Sequence, residues 1–186
     1  APGEGAGICA FGRTTSVAYC APAARGTVRH HVHAGCTPGG IVSDPDTAGF
    51  YDGVAPFYPL LYSNWDDAVA RQGLALSNLL AELGIACGDT VLDAACGVGT
   101  QALGLLGQGH RVIASDLSAG AVARFKTELE RRALQAQARV DDMRTLAGAE
   151  PTSAAAVIAC DNSVPHLLSD TGIEQAFASF RRVLKP

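Results

Sequence analysis

Hydrophobic and polar residues follow helical and strand-like periods from about residue 41 onward. A helix is predicted over Asp66–Leu83, where the apolar residues share one stripe and two acids lie at the start. Further helices are predicted over Thr100–Leu106, after an N-cap at Ser118, and over Thr171–Leu184. Short, continuously apolar runs predict strands over Asp89–Ala94, His110–Ser115, Ala138–Val140 and Ala154–Cys160.

This order of elements predicts an α/β fold with a doubly wound parallel sheet, because strands alternate with helices along the chain. Continuously apolar strands are typical of a sheet that helices cover on both faces. The strand Ala154–Cys160 would have an unpaired edge, which proteins avoid. The chain ends at Pro186 directly after the last predicted helix. We therefore expect that C-terminal strands of the fold are missing from this chain.

The chain divides into three predicted segments. Residues 1–40 show no hydrophobic periodicity and predict a disordered tail, with an origin outside the evolved fold as one interpretation. Residues 41–88 predict an N-terminal helical cap segment, and residues 89–186 a truncated ligand-binding α/β domain. His30, His31 and His33 lie near Cys36, but a second spaced pair of ligands is absent, so no metal site is predicted.

Composition limits the class of partner. The 186 residues are 48% hydrophobic and 17% charged, which suits one globular domain. A net charge of -4 without a basic block disfavours broad contact with nucleic acid or anionic lipid. No apolar run approaches the roughly 18 residues of a membrane span. Cys96 and Cys160 lie in apolar runs and predict buried, reduced thiols, which is typical of a cytoplasmic protein.

A glycine turn follows the first strand of the α/β segment, in the stretch VLDAACGVGTQALG. Gly97 and Gly99 would let a ligand approach the backbone closely, beyond the carboxyl end of the strand. Gly97-x-Gly99-x-x-Ala102 also fits a dinucleotide fingerprint, with Asp116 lying 19 residues after Gly97. Taken alone, this spacing is consistent with an NAD-linked oxidoreductase.

Four acids at predicted strand ends favour a different ligand. They are Asp93, Asp116, Asp142 and Asp161. Carboxylates in these positions would repel a pyrophosphate and attract a cationic group. The charge pattern therefore favours a cofactor with positive charge over a dinucleotide.

The motifs resemble those of class I S-adenosylmethionine-dependent methyltransferases, which have a Rossmann-like doubly wound parallel sheet. Val91-Leu-Asp-Ala-Ala-Cys-Gly-Val-Gly99 is similar to their first motif, and Ala95 stands where most members have Gly. Three segments resemble the glycine and sarcosine N-methyltransferase branch: Tyr51-Asp52-x-x-Ala55-x-x-Tyr58, Asp142-Met143-Arg144 and Asn162-Ser163-Val164-Pro165-His166-Leu167. The chain departs from that branch at Asp161, where Gly is frequent, and in lacking the residues that the branch has beyond the position of Pro186.

The resemblance implies S-adenosyl-L-methionine as cofactor and assigns residues to it. The turn from Ala95 through Gly97 to Gly99 would support the methionine part, near Asp93 and Asp161. Asp116, followed by Leu117, would accept from the ribose hydroxyls. Asp142 would accept from the adenine amino group, with Met143 packed on the ring. Arg71 would pair with the cofactor carboxylate, and aromatic residues would cover the site: Tyr58, Tyr62 and Trp65.

Structural roles are open alternatives for several of these residues. Asp116 would then only cap the next helix, and Asp142 would be a solvated loop acid. Arg71 would form a surface pair with Asp67. The aromatic residues of the cap segment would belong to the core, and His166 would pack at a helix start.

Methyl transfer from a sulfonium requires mainly that the acceptor, the methyl group and sulfur are held in line without water. Asn162 and His166, after the fourth predicted strand, are the candidate catalytic residues that would contact the acceptor. The predicted function is methyl transfer to a small molecule, preferably an amine. A cofactor-binding fragment without turnover and an NAD-linked oxidoreductase are the two alternatives.

Overall fold

The computed structural model describes residues 8–11 and 45–186. Five helices are present in these residues: α1 (Pro45–Val54), α2 (Trp65–Glu82), α3 (Thr100–Gly107), α4 (Ala119–Arg131) and α5 (Asp170–Val183). The strands are β1 (Ile8–Phe11), β2 (Thr90–Asp93), β3 (Arg111–Asp116), β4 (Gln137–Val140) and β5 (Ala156–Cys160). Short 3-10 helices cover Tyr58–Leu61 and Val164–Leu167.

The strands form one sheet in the order β1-β5-β2-β3-β4. β2 pairs in parallel with both β3 and β5, and β4 pairs in parallel with β3. The predicted doubly wound parallel sheet is therefore confirmed. The strand order reverses between β2 and β5. Along the chain, β3 and β4 add to one side of β2, and β5 then pairs with the other side of β2.

The edge of β5 was expected to be unpaired, and this expectation is wrong. β1 pairs with it in antiparallel orientation, with Ile8 opposite Cys160 and Phe11 opposite Val157. An added strand satisfies backbone groups that an open edge would expose. A strand thus lies within residues 1–40, where none was predicted. The candidate metal cluster near Cys36 lies outside the described residues.

Local signals place the helix ends close to where the pattern predicted them. The Ser118 hydroxyl accepts from the amide of Ala121 at 3.0 Å, which confirms it as the N-cap of α4. Gly84, with φ 77°, follows the end of α2. The amide of Ile85 then donates to Leu80 O at 2.9 Å, which closes the end of the helix. α1 and both 3-10 helices were not predicted, because their short apolar runs show no clear period.

Neighbouring strand residues enter two separate cores, one on each face of the sheet. Val91 packs with the apolar stripes of α2, α3 and α4, whereas Leu92 packs with α5 around Phe180. This arrangement accounts for strands that are apolar at successive positions. α2 and α3 cross so closely that a Cβ on Gly73 would lie 2.4 Å from the backbone of Gly104.

None of the described helices has the length and apolar character needed to cross a membrane.

Candidate functional site

A cavity lies at the carboxyl ends of the parallel strands, where the strand order reverses. The glycine turn after β2, the end of β3 and the turn after β5 form its base, and α1 covers one side. Its lining includes Ala95, Gly97, Leu117, Met143 and Tyr58. Open parallel sheets bind ligands in this position.

The turn between β2 and α3 has the conformation that its glycines suggested. Gly97 and Gly99 have φ values of 52° and 95°, which L side chains rarely adopt. A Cβ on Gly99 would lie 2.1 Å from the Phe125 ring, so this glycine also permits close packing of α4. A Cβ on Gly97 would meet nothing within 4 Å, and Gly97 lines the cavity.

Asp116 ties the end of β3 to the glycine turn. Its Oδ2 accepts from the amide of Gly97 at 2.7 Å, and its Oδ1 accepts from the amide of Ser118 at 2.9 Å. Burial raises the pKa of Asp116, although these backbone hydrogen bonds act against the rise. Each oxygen keeps a second lone pair, and the residue lines the cavity. Asp116 can therefore keep both backbone hydrogen bonds and also accept a hydrogen bond from a ligand hydroxyl.

Asp93 lies under the site rather than in its wall. Ala94 and Ala95 line the cavity, but Asp93 does not, and its side chain is fully buried. Oδ1 accepts from the amide of Ala95 at 3.4 Å, and Oδ2 has no partner among the described residues. Burial raises the pKa of Asp93 to about 8. The hydrogen bond from Ala95 acts to lower this pKa, whereas the charges of Asp116 and Asp161 act to raise it further. Asp93 lies outside the lining of the cavity, next to the two alanines that form part of it.

The Asp142-Met143-Arg144 segment lines the cavity beside the end of β4. The Arg144 guanidinium binds both carboxylate oxygens of Asp142, with Nε distances of 3.0 and 2.8 Å. Burial acts to raise the pKa of Asp142, but the bonds from Arg144 outweigh it and hold that pKa below its usual value. Asp142 is therefore an ionised acceptor rather than a freely solvated loop acid.

The turn after β5 brings Asp161, Asn162 and His166 to the opposite side of the cavity. Asp161 is half-buried, and its Oδ2 accepts from the Gln101 amide nitrogen at 3.1 Å. Burial raises the pKa of Asp161. Asn162 and His166 are exposed at the rim, and the Tyr51 hydroxyl lies 2.9 Å from His166 Nε2.

α1 closes one side of the cavity through residues that sequence periodicity did not identify. Tyr51 lines the cavity from α1, as do Thr47 and Ala48, and Ala55 lines it directly after the helix. Asp52 fixes the helix in place, since its Oδ1 accepts from the Ser118 hydroxyl at 2.5 Å and from the Gly120 amide at 2.7 Å. In the sequence, the resemblance to known methyltransferases was the only signal that pointed to the Tyr51-Asp52 segment as part of the site.

Three predicted site residues of the cap segment do not line the cavity. Arg71 is exposed on α2, and its neighbour Gln72 points toward the site instead, accepting from Gln101 at 2.7 Å. Trp65 is buried, and its Nε1 donates to the Thr100 hydroxyl at 3.2 Å. Tyr62 packs against the core. The core alternative therefore describes Trp65, which belongs to the buried core, and Tyr62, which packs against it.

Comparison with known sequences identifies the class of protein that this fold and site define. Residues 91–186 match the family described as "Methyltransferase domain". The match covers more than half of the 186 residues, so the chain belongs to this family. No curated protein matches the chain.

Solved structures show the same fold. The PH0226 protein from Pyrococcus horikoshii OT3 is 26% identical over 74% of this chain, with a TM-score of 0.55. An S-adenosylmethionine-dependent methyltransferase from Clostridium acetobutylicum ATCC 824 is 16% identical over 73%, with a TM-score of 0.53. A methyltransferase of Methanococcus maripaludis, described as putative, is 18% identical over 81%, with a TM-score of 0.53. This chain spans 57%, 54% and 64% of those three chains.

Proposed function

We propose that this protein is an S-adenosyl-L-methionine-dependent methyltransferase that acts on a small molecule, with an amine as the acceptor. The observation that carries the proposal is the pairing of Asp116 with the Gly97 amide, inside the segment that matches the methyltransferase family. This pairing places a carboxylate with free lone pairs beside an open glycine turn. The Clostridium structure of the same fold is described as S-adenosylmethionine-dependent, which supports the choice of cofactor.

The residues around the cavity fit this cofactor. Asp116 would hold the ribose hydroxyls, and the adenine would lie between Leu117 and Met143, within reach of Asp142. The backbone from Ala95 to Gly97 would support the methionine part. A Cβ at Gly97 would meet nothing within 4 Å, so there is open space beside this backbone for a ligand.

Charge favours a cationic cofactor over a dinucleotide. Asp116, Asp142 and Asp161 line the cavity. Among the described Lys and Arg residues only Arg144 lines it, and its guanidinium is bound to Asp142. The sulfonium of the bound cofactor would supply an activated methyl group. The family match and this charge distribution together favour a methyltransferase over an NAD-linked oxidoreductase.

The protein's own part in the reaction is to position the acceptor and exclude water. Tyr51 and Tyr58 would shield the site from solvent, and Asn162 would orient the acceptor with its amide. Burial raises the pKa of Tyr51, so its phenol stays protonated and suits donation to His166 Nε2. His166 would contact the acceptor beside Asn162. The resemblance of the chain to the glycine and sarcosine branch rests on these same segments.

The proposal is tested by titrating the protein with S-adenosylhomocysteine and with NAD in a calorimeter. Methyl transfer is then measured as S-adenosylhomocysteine formation with amine, alcohol and thiol acceptors. We expect binding of S-adenosylhomocysteine, no binding of NAD, and turnover with amines. Binding without turnover for every acceptor would favour the non-catalytic alternative, whereas binding of NAD alone would exclude the proposed cofactor.

A further inference from the structure

Asp161 occupies a backbone position that disfavours a side chain. Its φ is 56°, in the left-handed region that glycine adopts most easily. The strain of a non-glycine residue in such a position tends to persist where the side chain has a function. The side chain itself therefore calls for a physical explanation.

Gln101 holds the Asp161 carboxylate and is itself oriented by Gln72. Gln101, which is only 5% exposed, donates to Asp161 Oδ2 at 3.1 Å. The same amide nitrogen donates to Gln72 Oε1 at 2.7 Å, so its direction is fixed from the other side as well. Among the described residues, Gln101 is the one hydrogen-bond donor to this carboxylate. Asp161 thus lines the cavity with acceptor capacity left over.

No cation of the described residues balances this charge. Arg144 is the one described Lys or Arg in the cavity lining, and it is bound to Asp142. Tyr51 and Tyr58 face the same space, since the charge of Asp161 contributes, after burial, to raising the pKa of both phenols. A carboxylate beside two aromatic rings is a suitable environment for an ammonium group. The same environment repels a carboxylate.

We propose that Asp161 binds the ammonium group of the methyl acceptor and makes the enzyme prefer amines without a carboxylate to amino acids. One ammonium proton would pass to the Asp161 carboxylate, so that the freed nitrogen lone pair forms the new bond to the methyl carbon as the bond from that carbon to sulfur breaks. S-adenosylhomocysteine is then the leaving group, and the proton passes from Asp161 to solvent. This inference rests on the proposed function, and it adds that the acceptor binds with a positively charged ammonium group. Asn162 and His166, which flank Asp161 at the rim, would contact the remainder of the acceptor.

Matched pairs of acceptors test the preference. Phenethylamine is compared with phenylalanine, histamine with histidine, and ethanolamine with serine, because each pair differs in the carboxylate alone. Methyl transfer and calorimetric binding are measured on the full chain, with S-adenosylhomocysteine bound in the binding experiment. We expect the amine of at least one pair to bind and react, with kcat/KM about 10- to 100-fold above that of its amino acid. Equal or greater kcat/KM for the amino acids would overturn the inference.

The Asp161→Asn variant tests the residue, because asparagine tolerates the left-handed conformation and removes only the charge. We expect KM for the reactive amine to rise by about 10- to 100-fold, with an unchanged Kd for S-adenosylhomocysteine. Asp161→Gly should show the same loss with an equal or higher Tm, since glycine relieves the strain. Asp170→Asn, at an exposed acid outside the cavity, is the control with the same change of charge.

The outcomes separate this inference from the function on which it rests. Amines that are methylated equally well by Asp161→Asn would overturn the inference and leave the amine methyltransferase intact. A parallel loss of S-adenosylhomocysteine binding in Asp161→Asn would assign the residue to the cofactor instead. Turnover of alcohols or thiols, with no amine bound or methylated, would overturn the proposed acceptor class and this inference together.

Discussion

The two sides of the cavity are built in different ways. On the side of β2 and β3, backbone amides and a buried carboxylate fix the geometry, and Gly97 and Asp116 lie 19 residues apart in the chain. On the side of β5, exposed side chains meet across long separations, as Tyr51 and His166 do at 115 residues. The first side is constrained by the fold itself. The second depends on how α1 docks, and this is where we expect acceptor specificity to reside.

The largest expected effect is a loss of stability on the β2 side. In Gly99→Ala, the new Cβ would overlap the Phe125 ring, and the residue would keep its φ of 95°. We expect the free energy of unfolding to fall by about 2–5 kcal/mol, measured by urea denaturation. Gly97→Ala is the matched control, because its Cβ would enter open space and the cost should be about 1 kcal/mol. Equal costs for both variants would mean that the Phe125 contact is not what requires Gly99.

Stability on this side should also depend on pH through Asp93. Its pKa is raised to about 8 when folded, so the folded chain keeps a proton that the unfolded chain has lost from about pH 4 upward. The contribution of Asp93 is therefore greatest at low pH and is lost as pH rises toward 8. Asp93→Asn mimics the protonated acid and should raise the free energy of unfolding at pH 8 by about 1–3 kcal/mol, with less gain at pH 6.

Urea denaturation of both proteins at the two pH values checks this expectation. Asp116 and Asp161 also have raised pKa values and give slopes of the same sign, but they are present in both proteins and cancel in the comparison. A pH-independent difference between the wild type and Asp93→Asn would show that the carboxyl is not protonated in the folded state near pH 7.

Ligand binding distinguishes the two sides through Asp116. Asp116→Ala removes the acceptor for the Gly97 amide and for the ribose hydroxyls of the proposed cofactor. We expect the affinity for S-adenosylhomocysteine to fall by about 1–3 kcal/mol in calorimetric titration. Asp67→Ala, at an exposed acid on α2, should leave the affinity unchanged. If Asp116→Ala binds as the wild type does, Asp116 serves only to tie the glycine turn to the segment before α4.

The sequence predicted the β2 side well because its signals are local. The apolar runs, the Ser118 cap and the glycine turn each lie within a few residues of the structure that they specify, and the sheet of β2 to β5 was correct. Arg71 and Trp65, which the resemblance assigned to the site, lie outside the cavity lining. Helical spacing gives the stripe of α2, but the direction of that stripe is set by close packing at Gly73 and Gly104, which no local pattern encodes.

The smallest expected effect lies at the rim of the acceptor side. Tyr51→Phe removes the hydroxyl that meets His166 Nε2 and leaves the ring over the cavity. We expect kcat/KM for an amine acceptor to fall by about 2- to 10-fold, because the bond is partly exposed, while the affinity for S-adenosylhomocysteine stays unchanged. Ser77→Ala is the matched control, since it removes a hydroxyl 3.0 Å from His110 Nε2, outside the cavity lining. A loss of S-adenosylhomocysteine affinity in Tyr51→Phe as large as its loss of kcat/KM would mean that α1 serves the cofactor, and the division into two sides would not hold.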